Sequence, residues 1–287
     1  MLRLGRHSFH DSAMLVMAIV NRTPDSFYDR GATFDENTAL ARITRVVEEG
    51  ADIVDIGGVK AGPGATVTVE QEEDRVLGLV SATRLRFPEV VISVDTWRHE
   101  VARRACEAGA DLLNDAWGGF DPQLAEVAAE FGAALVCAHT GGLEPRTRPH
   151  RSAYPGDIVE EVRRACLDLV ERAVGCGVSA DSLLVDPAHD FAKNTWHSLE
   201  ITRRLSELVA EGYPVLVSLS HKDFIGESLD LPVSQRLAGT LAATAVCAYQ
   251  GARVFRAHDV AATRQVLDMV ATIRGDRPPQ RVVRGLA

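Results

Sequence analysis

The chain has 287 residues, 46% of them hydrophobic, which is ample for a sizeable buried core. Its 31 basic and 40 acidic residues leave a formal charge of −9, which argues against a general nucleic-acid binder because phosphate affinity rests on clustered cations. Five cysteines, Cys106, Cys137, Cys166, Cys176 and Cys247, are odd in number, widely spaced and without a CxxC pair, so they read as reduced residues of a cytoplasmic protein rather than a disulfide or metal framework.

At the N-terminus a short apolar stretch follows His7, His10 and Asp11, and neither a signal peptide nor a membrane span is expected. Short apolar runs then begin near Met14, Ala51, Val90, Asp111, Ala133, Ser182, Pro214 and Arg253, giving eight candidate strands. Segments of helical spacing lie between them. Leu40, Ile43, Val46 and Val47 make one apolar face, and Ile158, Val162, Cys166, Leu169 and Ala173 make another. Glu49-Gly50 and Glu107-Ala108-Gly109 read as helix ends.

Strands rich in Val, Ile and Leu on both faces, each followed by a helix, imply a parallel sheet covered by helices. Eight such units in this length favour an α/β fold of the (β/α)8 TIM-barrel type over an open doubly wound sheet, and no GxGxxG follows the first strand. No linker or shift of composition divides the chain, so one domain is expected over residues 1–287. An Arg- and Pro-rich tail from about residue 275 is expected to be solvated.

In such a barrel the chemistry sits at the C-terminal ends of the strands. Here those ends carry Asn21, Asp55, Asp95, Asn114 with Asp115, His139, Asp186, Ser220 with Lys222, and Arg256 with His258. A single Asp after a strand is often only a helix cap, the plain reading for Asp55 and Asp115. Gathered in one mouth, Asp95, Asn114 and Asp186 could pair with the donors and acceptors of a flat heterocycle. Lys222, Arg256 and His258 could receive an anion, and Asn21 offers an oxygen to a hard cation such as Mg2+. His139 is as well read as a satisfied core residue, and His99, Trp97, Trp117 and Trp196 as packing or surface. The chain's three lysines, Lys60, Lys193 and Lys222, each follow an apolar run, whereas every other basic residue is Arg. Lysine retained against that bias suggests sites needing a compact ammonium.

These runs occur in order as NRTPDSF (Asn21 to Phe27), DIGGVKAGPG (Asp55 to Gly64), SVDT (Ser93 to Thr96), Asn114-Asp115 and AHTGG (Ala138 to Gly142). They continue with DPAHDFAK (Asp186 to Lys193), SHKDFIG (Ser220 to Gly226) and RAHDV (Arg256 to Val260). The ordered set resembles the dihydropteroate synthase family over nearly the whole chain. The resemblance implies a (β/α)8 barrel, usually a homodimer, that joins a pterin methyl diphosphate to p-aminobenzoate in folate biosynthesis. It implies pterin contacts from Asp95, Asn114, Asp186 and Lys222, with Lys222 and Asp95 as the catalytic candidates. It further implies anion contacts from Arg256, His258 and Asn21, Mg2+ at Asn21, and second-substrate contacts from Ser220 and Pro63.

The departures from the family pattern concentrate in three loops. The family's DIGGESTRPG becomes DIGGVKAGPG, so Val59, Lys60, Ala61 and Gly62 replace Glu, Ser, Thr and Arg. DPGxGFGK becomes DPAHDFAK, which puts Ala188, Asp190 and Ala192 on glycine positions and brings His189 and a carboxylate toward the anion. SRK becomes SHK, with His221 in place of an always-charged Arg. A lost charged hydrogen bond costs about 1.5 to 3 kcal/mol, so weak or absent synthase activity is the leading expectation. Three others stand beside it. One is an active synthase repaired by Lys60 or Arg22. Another is a different enzyme with His189 or Asp190 as acid or base. The third is a noncatalytic partner protein.

Overall fold

The computed structural model describes residues 1–23, 35–147 and 154–284. An antiparallel hairpin of β1 (Leu2–Leu4) and β2 (His7–Phe9) precedes the barrel. The barrel strands are β3 (Leu15–Asn21), β4 (Ile53–Gly57), β5 (Val91–Asp95), β6 (Leu112–Asp115), β7 (Ala134–Ala138), β8 (Leu183–Asp186), β9 (Leu216–Ser218) and β10 (Val254–Ala257). They lie in the order β8-β7-β6-β5-β4-β3-β10-β9, with every adjacent pair parallel. A parallel bridge between Val185 and Val215, with Val185 N–H donating to Pro214 O at 3.0 Å, joins the two ends and closes the barrel.

Each expected strand begins within about two residues of its predicted start. Helices α1 (Glu36–Glu48), α2 (Val69–Arg86), α3 (His99–Glu107), α4 (Gln123–Phe131) and α5 (Ile158–Gly175) follow β3 to β7 in turn. Two helices, α6 (Thr195–Arg203) and α7 (Leu205–Val209), follow β8; α8 (Asp223–Leu229) and α9 (Leu237–Tyr249) follow β9; α10 (Val260–Arg274) follows β10. The predicted faces are the buried ones: Ile43 and Val46 in α1, and Ile158, Val162, Cys166 and Ala173 in α5. The α1 and α3 ends also fall as expected, with Gly50 at φ +97 and Gly109 at φ +110 turning the chain out of each helix.

Alternation along the strands builds two cores. Val16, Ala18, Val54, Ile56, Ile92, Val94, Leu113, Val185 and Phe255 point outward and pack under the helices. Leu15, Met17, Ile53, Val91, Leu112, Leu184, Leu216 and Val254 point inward and fill the lower barrel. Leu2 and Leu4 of the hairpin join this inner cluster, and an added Cβ on Gly5 would lie 2.8 Å from Asp111, just before β6. The hairpin therefore plugs the N-terminal end of the barrel, a feature absent from the sequence-based expectation. Two strands of three residues carry too short a pattern to be read from periodicity.

Among the described residues, no helix is long and apolar enough to cross a membrane. Cys106, Cys137, Cys166 and Cys247 are buried free thiols, while Cys176 is exposed.

Candidate active site

The same inward alternation turns polar toward the C-terminal strand ends. Above Met17 comes Asn21; above Ile53, Asp55; above Val91, Ser93 and Asp95; above Leu112, Asn114; above Leu184, Asp186; above Val254, Arg256. These positions surround a cavity of about 300 Å³ at the barrel mouth. Its lining includes Asn21, Asp95, Asn114, Asp186, Asp190, Phe191, Ser220, Lys222, Arg256 and His258, together with Val59, Lys60, Ala61 and Gly62 of the second loop.

The floor is tied together by Asp55, which is fully buried. Arg256 Nε donates to Asp55 Oδ2 at 2.6 Å and Arg256 Nη2 to Asp95 Oδ2 at 3.0 Å. Ser93 Oγ donates to Asp55 Oδ1 at 2.6 Å, and Asn114 Nδ2 reaches both Asp55 oxygens at 3.3 and 3.4 Å. Burial pushes the Asp95 carboxyl up to about 7, with Arg256 opposing and Asp55 adding to the rise. Burial alone would depress the Arg256 pKa, but Asp55 and Asp95 outweigh it and hold the guanidinium charged. Local sequence reads Asp55 equally well as a helix cap or as a member of the polar mouth; it is the hub of the floor. Its partners Ser93, Asn114 and Arg256 lie 38 to 201 residues away in the chain, which no local pattern reveals.

Lys222 donates to His189 O and stands 4.8 Å over the Phe191 ring. Burial lowers its pKa, while Asp190 and Asp186 act to restore it. Asp186 Oδ1 accepts the Ala188 N–H at 2.7 Å, and its carboxyl is raised by burial against the pull of Lys222. His258 Nδ1 lies 2.9 Å from Ser220 Oγ. Burial, then Arg256, drives the His258 pKa down to about 3, so it can offer a hydrogen bond but no charge. Phe191, edge-on to buried Trp117 at 5.5 Å, is a wall residue the sequence reading did not single out; its position in DPAHDFAK was the available signal.

Lys193 is a loop clamp. Buried and without access to the cavity lining, it donates to His139 O at 3.0 Å, Ala188 O at 3.1 Å and Phe191 O at 2.9 Å. Burial lowers its pKa to about 7. The loop it holds keeps left-handed backbone at Ala188 (φ +49), Asp190 (φ +67) and Ala192 (φ +55), the three positions where side chains replace glycines of the resembling pattern. Asp115 is likewise internal: its oxygens accept Trp117 N–H at 3.0 Å and Gly119 N–H at 2.6 Å, and burial raises its carboxyl to about 6.

Several expectations are corrected. His189 does not approach the cavity; its ring is fully buried, with Nε2 3.1 Å from Thr202 Oγ1, and stacks on Phe224 at 5.7 Å. Burial, then Lys222, pushes its pKa well below normal, so it is not an accessible acid or base. His221, at φ +55, is turned from the cavity, with Nδ1 3.1 Å from Val233 O and Nε2 2.7 Å from Asp259 Oδ2. Arg22 is buried and lies 3.5 Å from Glu36, outside the cavity lining. Pro63 is exposed and does not line the cavity either. Of the first motif, Pro24 to Phe27 lie outside the described residues.

The second loop is anchored from behind. Arg75 donates to Gly58 O at 2.8 Å, Arg98 to Val67 O at 2.7 Å, and Arg146 to Ala65 O. Arg98 also pairs at 2.6 Å with Glu72, a carboxylate with no exposed surface. The altered segment 59–62 is thus presented to the cavity by a backbone fixed on both sides.

A closed parallel barrel with a polar, partly cationic cavity over its strand ends defines a ligand-binding barrel of the enzyme type. Residues 17–258 match the family of pterin binding enzymes, and the chain belongs to that family. Within it, the chain is a dihydropteroate synthase homologue. It is 59% identical over 276 residues to the inactive dihydropteroate synthase 2 of Mycobacterium leprae, covering 95% of each chain. It is 38% identical over 256 residues to the dihydropteroate synthase of Escherichia coli, covering 89% of this chain and 90% of that one. The structure of a Coxiella burnetii dihydropteroate synthase in complex with pteroic acid superposes with a TM-score of 0.87 at 31% identity, covering 96% of this chain and all of the other.

Proposed function

We propose that this protein binds a pterin in the barrel mouth but is weak or inactive as a dihydropteroate synthase. The observation that carries this reading is the contrast within one cavity: Asp95, Asn114, Asp186, Lys222 and Arg256 converge on its floor and wall, while Ala61 and Gly62 line its rim. The carboxylates and amide suit the N–H donors and ring acceptors of a pterin, and the ring would rest on apolar Ile19, Ala138 and Phe191. Joining the pterin methylene to an arylamine requires stabilising a departing diphosphate and holding the amine in line. At the rim, Ala61 and Gly62 have no side-chain donor for that task.

Mg2+ is part of the proposal at Asn21. Asn21 belongs to the cavity lining, and its side-chain oxygen would lie only 3.3 Å from a Cβ added at Gly57, so glycine at that position leaves the oxygen uncrowded. A hydrated hard cation held there by Asn21 would neutralise phosphate charge when bound.

The test is calorimetric titration with 6-hydroxymethyl-7,8-dihydropterin diphosphate and Mg2+, alongside assay of dihydropteroate formation. Restoring Ala61→Thr with Gly62→Arg is expected to raise diphosphate affinity or turnover by about 10- to 100-fold, equivalent to one charged hydrogen bond. A side chain at Gly62 has room, since among the described residues an added Cβ meets only Lys60 Cε, at 3.6 Å. Turnover by the unaltered protein at rates ordinary for the family would sink the proposal. A second reading, repaired catalysis, is favoured by Lys60 lining the cavity; in that case Lys60→Ala should abolish turnover.

We further propose a homodimer through α9 and α10. The sequence of α9, LAGTLAATAVCAY, has no charge, and exposed Val246 and Tyr249 adjoin a helix that exposes Met269 and Ile273. Met269→Glu should shift the sedimenting species to a monomer; an unchanged mass in that variant would rule this face out. The buried thiols support a cytoplasmic setting, which fractionation of expressing cells would check.

A further inference from the structure

We infer that Asp190 is a specificity-determining residue: it supplies the cavity wall with a fixed carboxylate beside Lys222 and turns away a second ligand that carries its own carboxylate. The inference rests on the cavity being the ligand site proposed above. Both oxygens of Asp190 are held. Oδ2 accepts the N–H of Asp223 at 2.7 Å and of Phe224 at 3.3 Å. Oδ1 accepts the Ser198 hydroxyl at 3.1 Å, and the same hydroxyl oxygen receives the Asp190 N–H at 3.1 Å. Every partner is a donor, so these contacts serve the ionised form. Burial raises the carboxyl from its ordinary range, and Lys222 followed by the Phe224 amide opposes that rise.

The wall around Lys222 is therefore already supplied with anions. Asp190, Asp186 and Asp223 line the cavity with it, and Asp223 is itself paired with Arg236 at 2.9 Å. A ligand carboxylate that approached the ammonium would meet Asp190 across the same space, and the two amides it could use are taken. Like charges brought together in a desolvated contact discriminate strongly between ligands of equal shape. A neutral aromatic amine resting on Phe191 meets no such penalty. The second-ligand class this wall admits is an uncharged aryl compound.

The experiment compares 4-aminobenzoate with its uncharged isostere 4-aminobenzamide, titrated into the full chain and into Asp190→Asn and Asp190→Gly. Asp190→Asn keeps the shape and removes the charge, and Asp190→Gly suits a backbone at φ +67. The unaltered protein is expected to prefer the amide by about tenfold or more, and both variants to shift that ratio toward the benzoate by a similar factor. An unchanged ratio in both variants, a preference of the unaltered protein for the benzoate, or no binding of either probe to any of the three proteins would each overturn the inference. Titration of the pterin in parallel separates the two proposals: absent pterin binding with a shifted aryl ratio removes the pterin reading and leaves the role of Asp190 standing.

Discussion

The floor of the cavity and its rim are built by different physics. The floor residues, Asp55, Asp95, Asn114 and Arg256, sit on strands whose inward positions are set by pleat and register, and they bind one another before any ligand arrives. The rim is made of loop segments, 59–62 and 188–192, whose backbones are held by Arg75, Arg98, Arg146 and Lys193, and in the first of them Ala61 and Gly62 carry no polar side chain tied to the floor. Loss of Asp55 or Arg256 from the floor strands a buried charge. A rim residue can change while the barrel stays folded, and so chemistry can be lost from such a site without loss of structure.

That distinction can be broken most directly at Arg256. Arg256→Met removes the cation from fully buried Asp55, and the chain is expected to lose about 3 to 5 kcal/mol of stability, read by urea unfolding, together with pterin binding. A loss below about 1 kcal/mol would mean that the floor is not the rigid unit described.

Next in size is the clamp. Lys193→Met leaves the carbonyls of His139, Ala188 and Phe191 without their shared donor, for an expected cost of about 3 kcal/mol. Proteolysis in the 186–193 loop should rise in step, because local opening follows the lost contacts. A variant as stable and as protease-resistant as the parent would show that the rim backbone does not depend on this lysine.

The third test concerns protons. Asp95 is raised to about 7 in the folded chain from an unfolded value of 3.8, so between those values the folded form keeps a proton that the unfolded form has released. Stability from this group is full below about pH 4 and is lost as pH rises through about 7. Asp115, raised to about 6, acts with the same sign, so Asp95→Asn should remove only part of the slope. An ionised carboxylate accepts a pterin N–H more strongly than a neutral carboxyl does, and pterin affinity should therefore rise as pH climbs through about 7 and level off above it. Equal pH dependence in the parent and Asp95→Asn would assign the effect elsewhere.

Much of this architecture was legible in the chain. Eight apolar runs at helix-separated spacing, buried on both faces, left a closed parallel barrel as the economical arrangement, and the polar residues ending those runs foretold the lining of its mouth. Strand positions are readable because a period of two links neighbouring residues to opposite faces. The motif order also carried the family, through Asn21, Asp95, Asn114, Asp186 and Lys222.

Loops have no such period. In DPAHDFAK, left-handed backbone at Ala188, Asp190 and Ala192 sends His189 into the core and Asp190 to the cavity wall, although sequence alone made both equal candidates. His221 and Arg22 were likewise drawn away by Asp259 and Glu36, partners on other elements. Lys60, Lys193 and Lys222 looked equivalent as survivors of an arginine bias; the fold makes one a rim cation, one a clamp and one a cavity contact. The sequence by itself determined the barrel, its polar face and the family, because burial patterns are local and repeat. Only the tertiary structure decided which charges meet, because the partner of a buried carboxylate such as Asp55 is chosen by a strand 201 residues away.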